Sequence, residues 1–149
     1  MTVVEQDAKP AVSVDHKRIT LSVRPGTDRA KRATIIHDWH KAILHEFIPP
    51  LINRWEPKFG VHVVAYFLQR MKTKWGSCNV TAGRIWLNLE LAKKPVQCLE
   101  YIVVHELVHL LERNHTERFT ALIDRHLPDW RTRREVLNSS PLGHESWQY

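Results

Sequence analysis

Two histidines and a glutamate stand together at His105-Glu106-Leu107-Val108-His109, an H-E-x-x-H pattern. On a helix, residues four apart sit one above the other with Cβ atoms about 5–6 Å apart. Both imidazoles then reach a single zinc ion at about 2.0–2.1 Å. Glu106 is turned about 100° from His105 on such a helix, which makes it a poor ligand to the same ion. It is well placed to take a proton from a water beside that ion, the work of a general base. His115 follows ten residues after His105, the spacing of the third ligand in the zinc-peptidase motif H-E-x-x-H-x-x-G-x-x-H. Random ordering of this composition yields H-E-x-x-H about 0.04 times per sequence and the three-histidine form about 0.003 times, so coincidence is a poor account of it.

Glu112 stands where that longer motif has glycine, so the reversal that returns His115 to the other two needs another residue. Asn114 tolerates left-handed backbone and is the natural choice. No methionine follows the motif, since Met1 and Met71 both precede it, and this excludes the metzincin class. Glu135, Asp124 and Asp129 remain acidic alternatives to His115 as third ligand.

The elements that must position these groups are legible in the apolar pattern. Pro95 suits a first helical position, and Pro95 to Arg113 is apolar on nearly every side through Val96, Leu99, Ile102, Val103, Leu107, Leu110 and Leu111, as in a buried central helix. Thr116 caps a predicted helix Glu117 to His126 that buries Phe119, Leu122 and Ile123, and Pro128 opens a last helix through Trp130, Val136 and Leu137. Upstream, Ile36, Trp39, Ile43 and Phe47 recur at helical spacing within Ala33 to Ile48. Pro49-Pro50 is expected to break or sharply kink that helix, with a short restart through Leu51, Ile52 and Trp55 towards Gly60. Val61 to Gln69 reads as a buried strand, and Met71 to Ser77 with Arg84 to Leu89 as a hairpin around the turn Asn79–Gly83. A further strand is expected in His16 to Val23, before the turn signal Pro25-Gly26. This divides the chain into a flexible arm over 1–15, one domain over 16–137 and a tail over 138–149.

On the predicted hairpin strand Arg70, Lys72 and Lys74 share one face, a groove wall for acidic or phosphate-bearing substrate, and Trp75 is included as a substrate contact. An edge strand there would also pair with an extended peptide. Trp75-Gly76-Ser77-Cys78 reads as a structural turn, with Cys78 near the metal but not bound to it. Tyr66, Arg84 and His126 are the candidates for a group that helps stabilise the transition state. His37, His40 and His45 read as a helix face rather than a second metal site, and Cys98 lies roughly 10 Å along the helix from His105, too far to share its ion. Arg131, Arg133 and Arg134 read as solvated charge.

The chain has 149 residues, 43% hydrophobic and 26% charged with only 5 glycines, which fits one soluble globular domain and excludes collagen-like, mucin-like and low-complexity classes. It has no apolar run of membrane-spanning length and no apolar leader, so a cytoplasmic location without membrane association is expected. Cys78 and Cys98 are expected to be reduced there. A net charge of +6 favours acidic partners, nucleic acid among them.

The stretches Arg70 to Asn79, Ile85-Trp86-Leu87-Asn88, Tyr101 to Leu110, Asn114-His115-Thr116 and Leu127-Pro128-Asp129-Trp130 together resemble the YgjP-like (DUF45) metal-dependent hydrolases, relatives of the SprT-like and minimal zincin peptidases. The resemblance covers about residues 33 to 137. It implies an α+β, zincin-like fold in which a small antiparallel or mixed sheet packs on a central H-E-x-x-H helix with flanking helices. It also carries the family's ligands onto His105, His109 and His115, around one Zn2+, and its catalytic glutamate onto Glu106. Larger members have a longer β-rich region before the first helix, for which only His16 to Val23 is available here. The expected activity is that of a zinc metallopeptidase acting on polypeptide. A zinc-dependent nucleotide phosphoanhydride hydrolase of UTP pyrophosphatase type is the alternative, and a zinc-stabilised nucleic-acid or protein adaptor the third.

Overall fold

In the computed structural model, which describes residues 2–5, 11–15, 18–23 and 29–139, helix α1 (Arg29–Phe59) continues through Pro49, Pro50 and Pro57. The expected break at Pro49-Pro50 does not occur. An interior proline costs a helix about 3 kcal/mol, because it removes a hydrogen bond and crowds the preceding turn. Against that, Leu44, Ile48, Ile52, Trp55 and Phe59 form one buried stripe that crosses the proline pair. At roughly 1.5–3 kcal/mol for each buried side chain, the stripe offsets the loss. Gly60, with φ +66°, ends the helix in left-handed backbone, and the Val61 N–H returns to the Glu56 carbonyl at 3.2 Å.

The chain divides into two units, Met1–Ala42 and Ile43–Tyr149. In the first, β1 (Thr2–Glu5), β2 (Ala11–Asp15) and β3 (Arg18–Val23) form a sheet of order β1-β3-β2. Strand β1 runs parallel to β3, with Val3 opposite Leu21, and β2 runs antiparallel to it, with Val12 also opposite Leu21. The sequence reading has a strand at β3 only, and places β1 and β2 in the arm. Both are short, 4 and 5 residues, and their backbone partner β3 lies outside each segment. Pro25-Gly26 and the tail from residue 140 lie outside the described residues.

The second unit holds β4 (Ala65–Gln69), β5 (Gly76–Asn79) and β6 (Arg84–Asn88) in the order β4-β6-β5. Strands β4 and β6 are parallel and β5 and β6 antiparallel, so the sheet is mixed. The hairpin turn is where the sequence puts it, with the Asn79 side chain accepting from the Ala82 N–H at 3.0 Å. Its first arm is shorter than expected. Residues 70–75 are irregular, because the fully buried Asn88 donates its side-chain amide to the Met71 carbonyl at 2.8 Å and the Lys74 carbonyl at 2.7 Å. Those bonds hold the segment as a loop, and the alternation of Arg70, Lys72 and Lys74 on a strand face is lost.

After a 3-10 turn at Leu89–Lys93 comes α2 (Val96–His109), buried from Cys98 to Val108 except for half-buried Glu100. It packs against β5, β6, α3 (Glu117–His126) and α4 (Trp130–Asn138). Glu100 ties three helices together, accepting from Arg133 of α4 at 2.7 Å and from the Trp55 indole and Arg54 of α1 at 3.0 and 3.3 Å. Burial alone would raise the Glu100 carboxyl, but these hydrogen bonds and charges prevail and hold it below the usual carboxylate range. This unit is α+β and zincin-like, as the sequence implies.

Candidate metal centre

His105 and His109 project from one face of α2, four residues apart, with ring centroids 4.9 Å from each other. The helix stops at His109, four residues before the expected end. The turn that follows is closed by the Leu111 and Glu112 N–H groups, both donating to the Val108 carbonyl. A bend at Arg113 and Asn114 follows, closed by the Thr116 N–H donating to the Asn114 carbonyl at 2.9 Å. Thr116 then caps α3 by accepting from the Phe119 N–H at 3.3 Å, as the sequence predicts. His115 sits between that turn and that cap, and both fix where its ring can go.

The result is convergence. The His115 Nε2 lies 3.2 Å from the His105 Nε2 and 3.0 Å from the His109 Nε2. Three imidazole nitrogens around one tetrahedral zinc, each at about 2.0–2.1 Å, would stand roughly 3.3–3.4 Å apart. His109 donates from Nδ1 to the Glu112 carbonyl at 3.2 Å, so its Nε2 presents a lone pair to the other two rings. Burial first, then the neighbouring histidines, keeps His105 and His109 below the ordinary histidine range, and hence in the neutral form a metal requires. The arrangement fits a divalent cation, and these three are the group able to hold one among the described residues. Phe119, itself buried, packs its ring 4.9, 4.6 and 4.8 Å from those of His105, His109 and His115 and backs all three.

Glu106, the residue after His105 on α2, lies against Gly76 of β5. It is 1% exposed, and its Oε2 has no hydrogen-bond partner among the described residues. Burial pushes its carboxyl up to about 8, partly opposed by the positive charge of Lys74. The carboxylate also raises its neighbour Cys78, which burial and that charge push up to about 12. Strand β5 comes close here because residue 76 is glycine. A Cβ at Gly76 would meet Ile102 Cγ2 at 3.0 Å and the Glu106 Cγ and Cδ at 3.2 and 3.3 Å. Gly76→Ala is therefore expected to displace the Glu106 side chain and lower turnover by about tenfold or more while metal content holds, since a misplacement of about 1 Å near a reaction centre can cost up to about 10²-fold. Parallel measurements of turnover and bound metal check this.

The other residues singled out in the sequence are dispersed. Asp124 accepts from the Trp130 indole at 2.7 Å and from Arg131 at 2.8 Å, Asp129 pairs with Arg133, and Glu135 is exposed on α4. None of these acids joins the histidines. Arg70 is exposed and 3.6 Å from Glu90, and Lys72 is exposed, so of the three basic residues only Lys74 is felt at Glu106. Trp75, expected to touch substrate, is fully buried and donates its indole N–H to Asn138 at 3.3 Å. Tyr66 bonds to the His45 Nδ1 at 2.8 Å, His126 packs on Phe59 and Arg84 is exposed; no helper role follows from those positions. Neither the role of Gly76 in admitting Glu106 nor that of Phe119 in backing the three rings is legible from residue spacing, because each depends on contacts between separate elements.

A mixed sheet laid against a helix that carries two histidines and a carboxylate, with a third histidine returned to them by a tight turn, defines a zincin-like metallohydrolase. The chain belongs to the YgjP-like family, whose metallopeptidase-domain model it matches over residues 1–140. Among solved structures it is similar to the metallopeptidase zymogen of Pyrococcus abyssi abylysin, with a TM-score of 0.53 and 19% identity over 62% of this chain and 90% of that one. At that identity the likeness speaks for the fold. No curated protein matches the chain.

Proposed function

We propose that the chain is a zinc-dependent metallopeptidase in which His105, His109 and His115 hold the ion and Glu106 is the general base. The observation that carries this is the pairing of three converging imidazole nitrogens with an adjacent buried carboxylate oxygen that has no partner among the described residues. An all-nitrogen donor set suits zinc, and a protein providing three ligands leaves a position open. Zinc, when bound, supplies Lewis acidity that makes water a better nucleophile and stabilises negative charge on the scissile carbonyl.

The protein's own part is positional. Glu106 takes the proton of the attacking water at Oε2 and returns it to the leaving amine nitrogen. The His109 Nδ1 bond to the Glu112 carbonyl fixes that ring's tautomer, and Phe119 keeps the three rings in register. Polypeptide is the substrate class we propose, with an edge strand of the mixed sheet as the element that would pair with an extended chain. The thiols of Cys78 and Cys98 are free, which suits a reducing cytoplasm. No helix among the described residues is long and apolar enough to cross a membrane.

Metal removal tests the proposal. Chelation is expected to abolish cleavage of an unfolded protein, and one equivalent of Zn2+ to restore it, with bound metal measured at each stage. Pyrophosphate release from UTP in place of peptide cleavage would install the nucleotide hydrolase instead, and neither activity from zinc-loaded protein would leave the adaptor.

A further inference from the structure

A cavity of about 350 Å³ adjoins two of the three histidines, lined by Tyr101, His105, His115, Phe119, Thr120, Ile123, Trp130 and Arg134. Its size is within the range of ligand-binding pockets. Tyr101, Phe119, Ile123 and Trp130 give it apolar walls, and Tyr101 and Trp130 stack with centroids 6.1 Å apart. Such walls favour a bulky apolar group over a charged one. One lining residue is out of keeping with them, and that is Arg134.

The arginines of α4 differ in what they meet. Arg131 pairs with Asp124 at 2.8 Å, and Arg133 pairs with Glu100 at 2.7 Å and Asp129 at 3.0 Å. Arg134, half-buried, has no carboxylate partner among the described residues. Its guanidinium lies over the Trp130 ring, 5.0 Å from the centroid. A cation–π contact of this kind orients a guanidinium without neutralising it and leaves its N–H donors available. A planar fork of donors matches a carboxylate or a phosphate, and the apolar walls beside it favour the carboxylate of a hydrophobic residue over a phosphate.

We propose that this cavity is a substrate subsite for a bulky apolar residue that carries a free carboxylate, with Tyr101, Phe119, Ile123 and Trp130 holding the side chain and Arg134 pairing with the carboxylate. The proposal rests on the peptidase reading and deepens it: the bond cut lies next to a hydrophobic C-terminal residue. Arg134 is the residue that sets the preference for a free acid over a capped end. An Arg134 that is half-buried and has no carboxylate partner among the described residues makes sense if the substrate brings the missing charge.

The test is calorimetric titration of the zinc-loaded protein with N-acetyl-phenylalanine and, separately, with its amide, alongside hydrolysis of one short peptide ending in phenylalanine as acid or amide. The free acid should bind more tightly, and Arg134→Met should weaken it about 10–100-fold while changing amide binding less than about threefold, as expected for loss of a charged hydrogen-bond pair. Arg134→Gln, which keeps a polar stem, serves as the second variant, and both must retain wild-type bound zinc. Equal affinity for acid and amide overturns the proposal. So does acid binding that survives in both variants, which would place the carboxylate on the metal, and so does Arg134-dependent binding of UTP without binding of the amino-acid ligand. Arg134-dependent acid binding supports the subsite even if no peptide is cleaved; that absence would count against the peptidase reading alone.

Discussion

Glu106→Gln is expected to lower turnover on unfolded protein by about 10²–10⁴-fold, the usual contribution of a positioned general base. The substitution keeps the side chain's shape and hydrogen-bonding oxygen and removes its capacity to accept a proton. Bound metal should be unchanged, because the three candidate ligands are imidazoles and Glu106 lies off their face. Thermal stability should not fall. The wild-type carboxyl group is buried with an oxygen that has no hydrogen-bond partner among the described residues, an arrangement that costs the folded state. A residue kept for structural reasons would behave oppositely, losing stability with activity. Turnover, metal content and melting temperature measured on one preparation separate the cases. Full activity in Glu106→Gln would remove the general-base assignment.

His115→Ala is expected to weaken metal binding by more than about 100-fold, beyond the 10–100-fold typical of groups that merely support a ligand. Asp124→Ala, Asp129→Ala and Glu135→Ala should leave metal affinity at the wild-type level. The geometry makes the contrast sharp. The His115 Nε2 is 3.2 and 3.0 Å from its two counterparts, whereas Asp124 and Asp129 are engaged by α4 arginines and Glu135 is exposed. Competition with a chromophoric zinc chelator reads the affinities directly. Should Glu135→Ala or either aspartate variant lose zinc while His115→Ala keeps it, the third ligand has been misassigned.

The histidine pair and the carboxylate between them were legible in the linear chain because a helix turns spacing into geometry. Four residues make just over one turn, so His105 and His109 share a face and Glu106 does not. The same local logic places Thr116 at the start of α3 and Asn79 in the hairpin turn, since a cap or a turn is decided within a few residues. What lies beyond a few residues was decided by packing. Pro49-Pro50 breaks a helix by local rule, yet the buried stripe from Leu44 to Phe59 holds α1 together. Residues 70–75 alternate as a strand would, yet Asn88, a dozen or more residues away, ties them into a loop and buries Trp75.

By itself, the sequence determined the reactive groups: two imidazoles one helical turn apart, a carboxylate set off to the side, and a third histidine at a spacing that chance rarely supplies. The tertiary structure alone decided which of four possible third ligands meets the pair, how near β5 approaches Glu106 at Gly76, and that Arg134 rather than Arg131 or Arg133 lines the cavity. The physical reason is range. Helical periodicity and capping act over a few residues and are written in their order, whereas the partner of a side chain is set by which distant segments exclude water together.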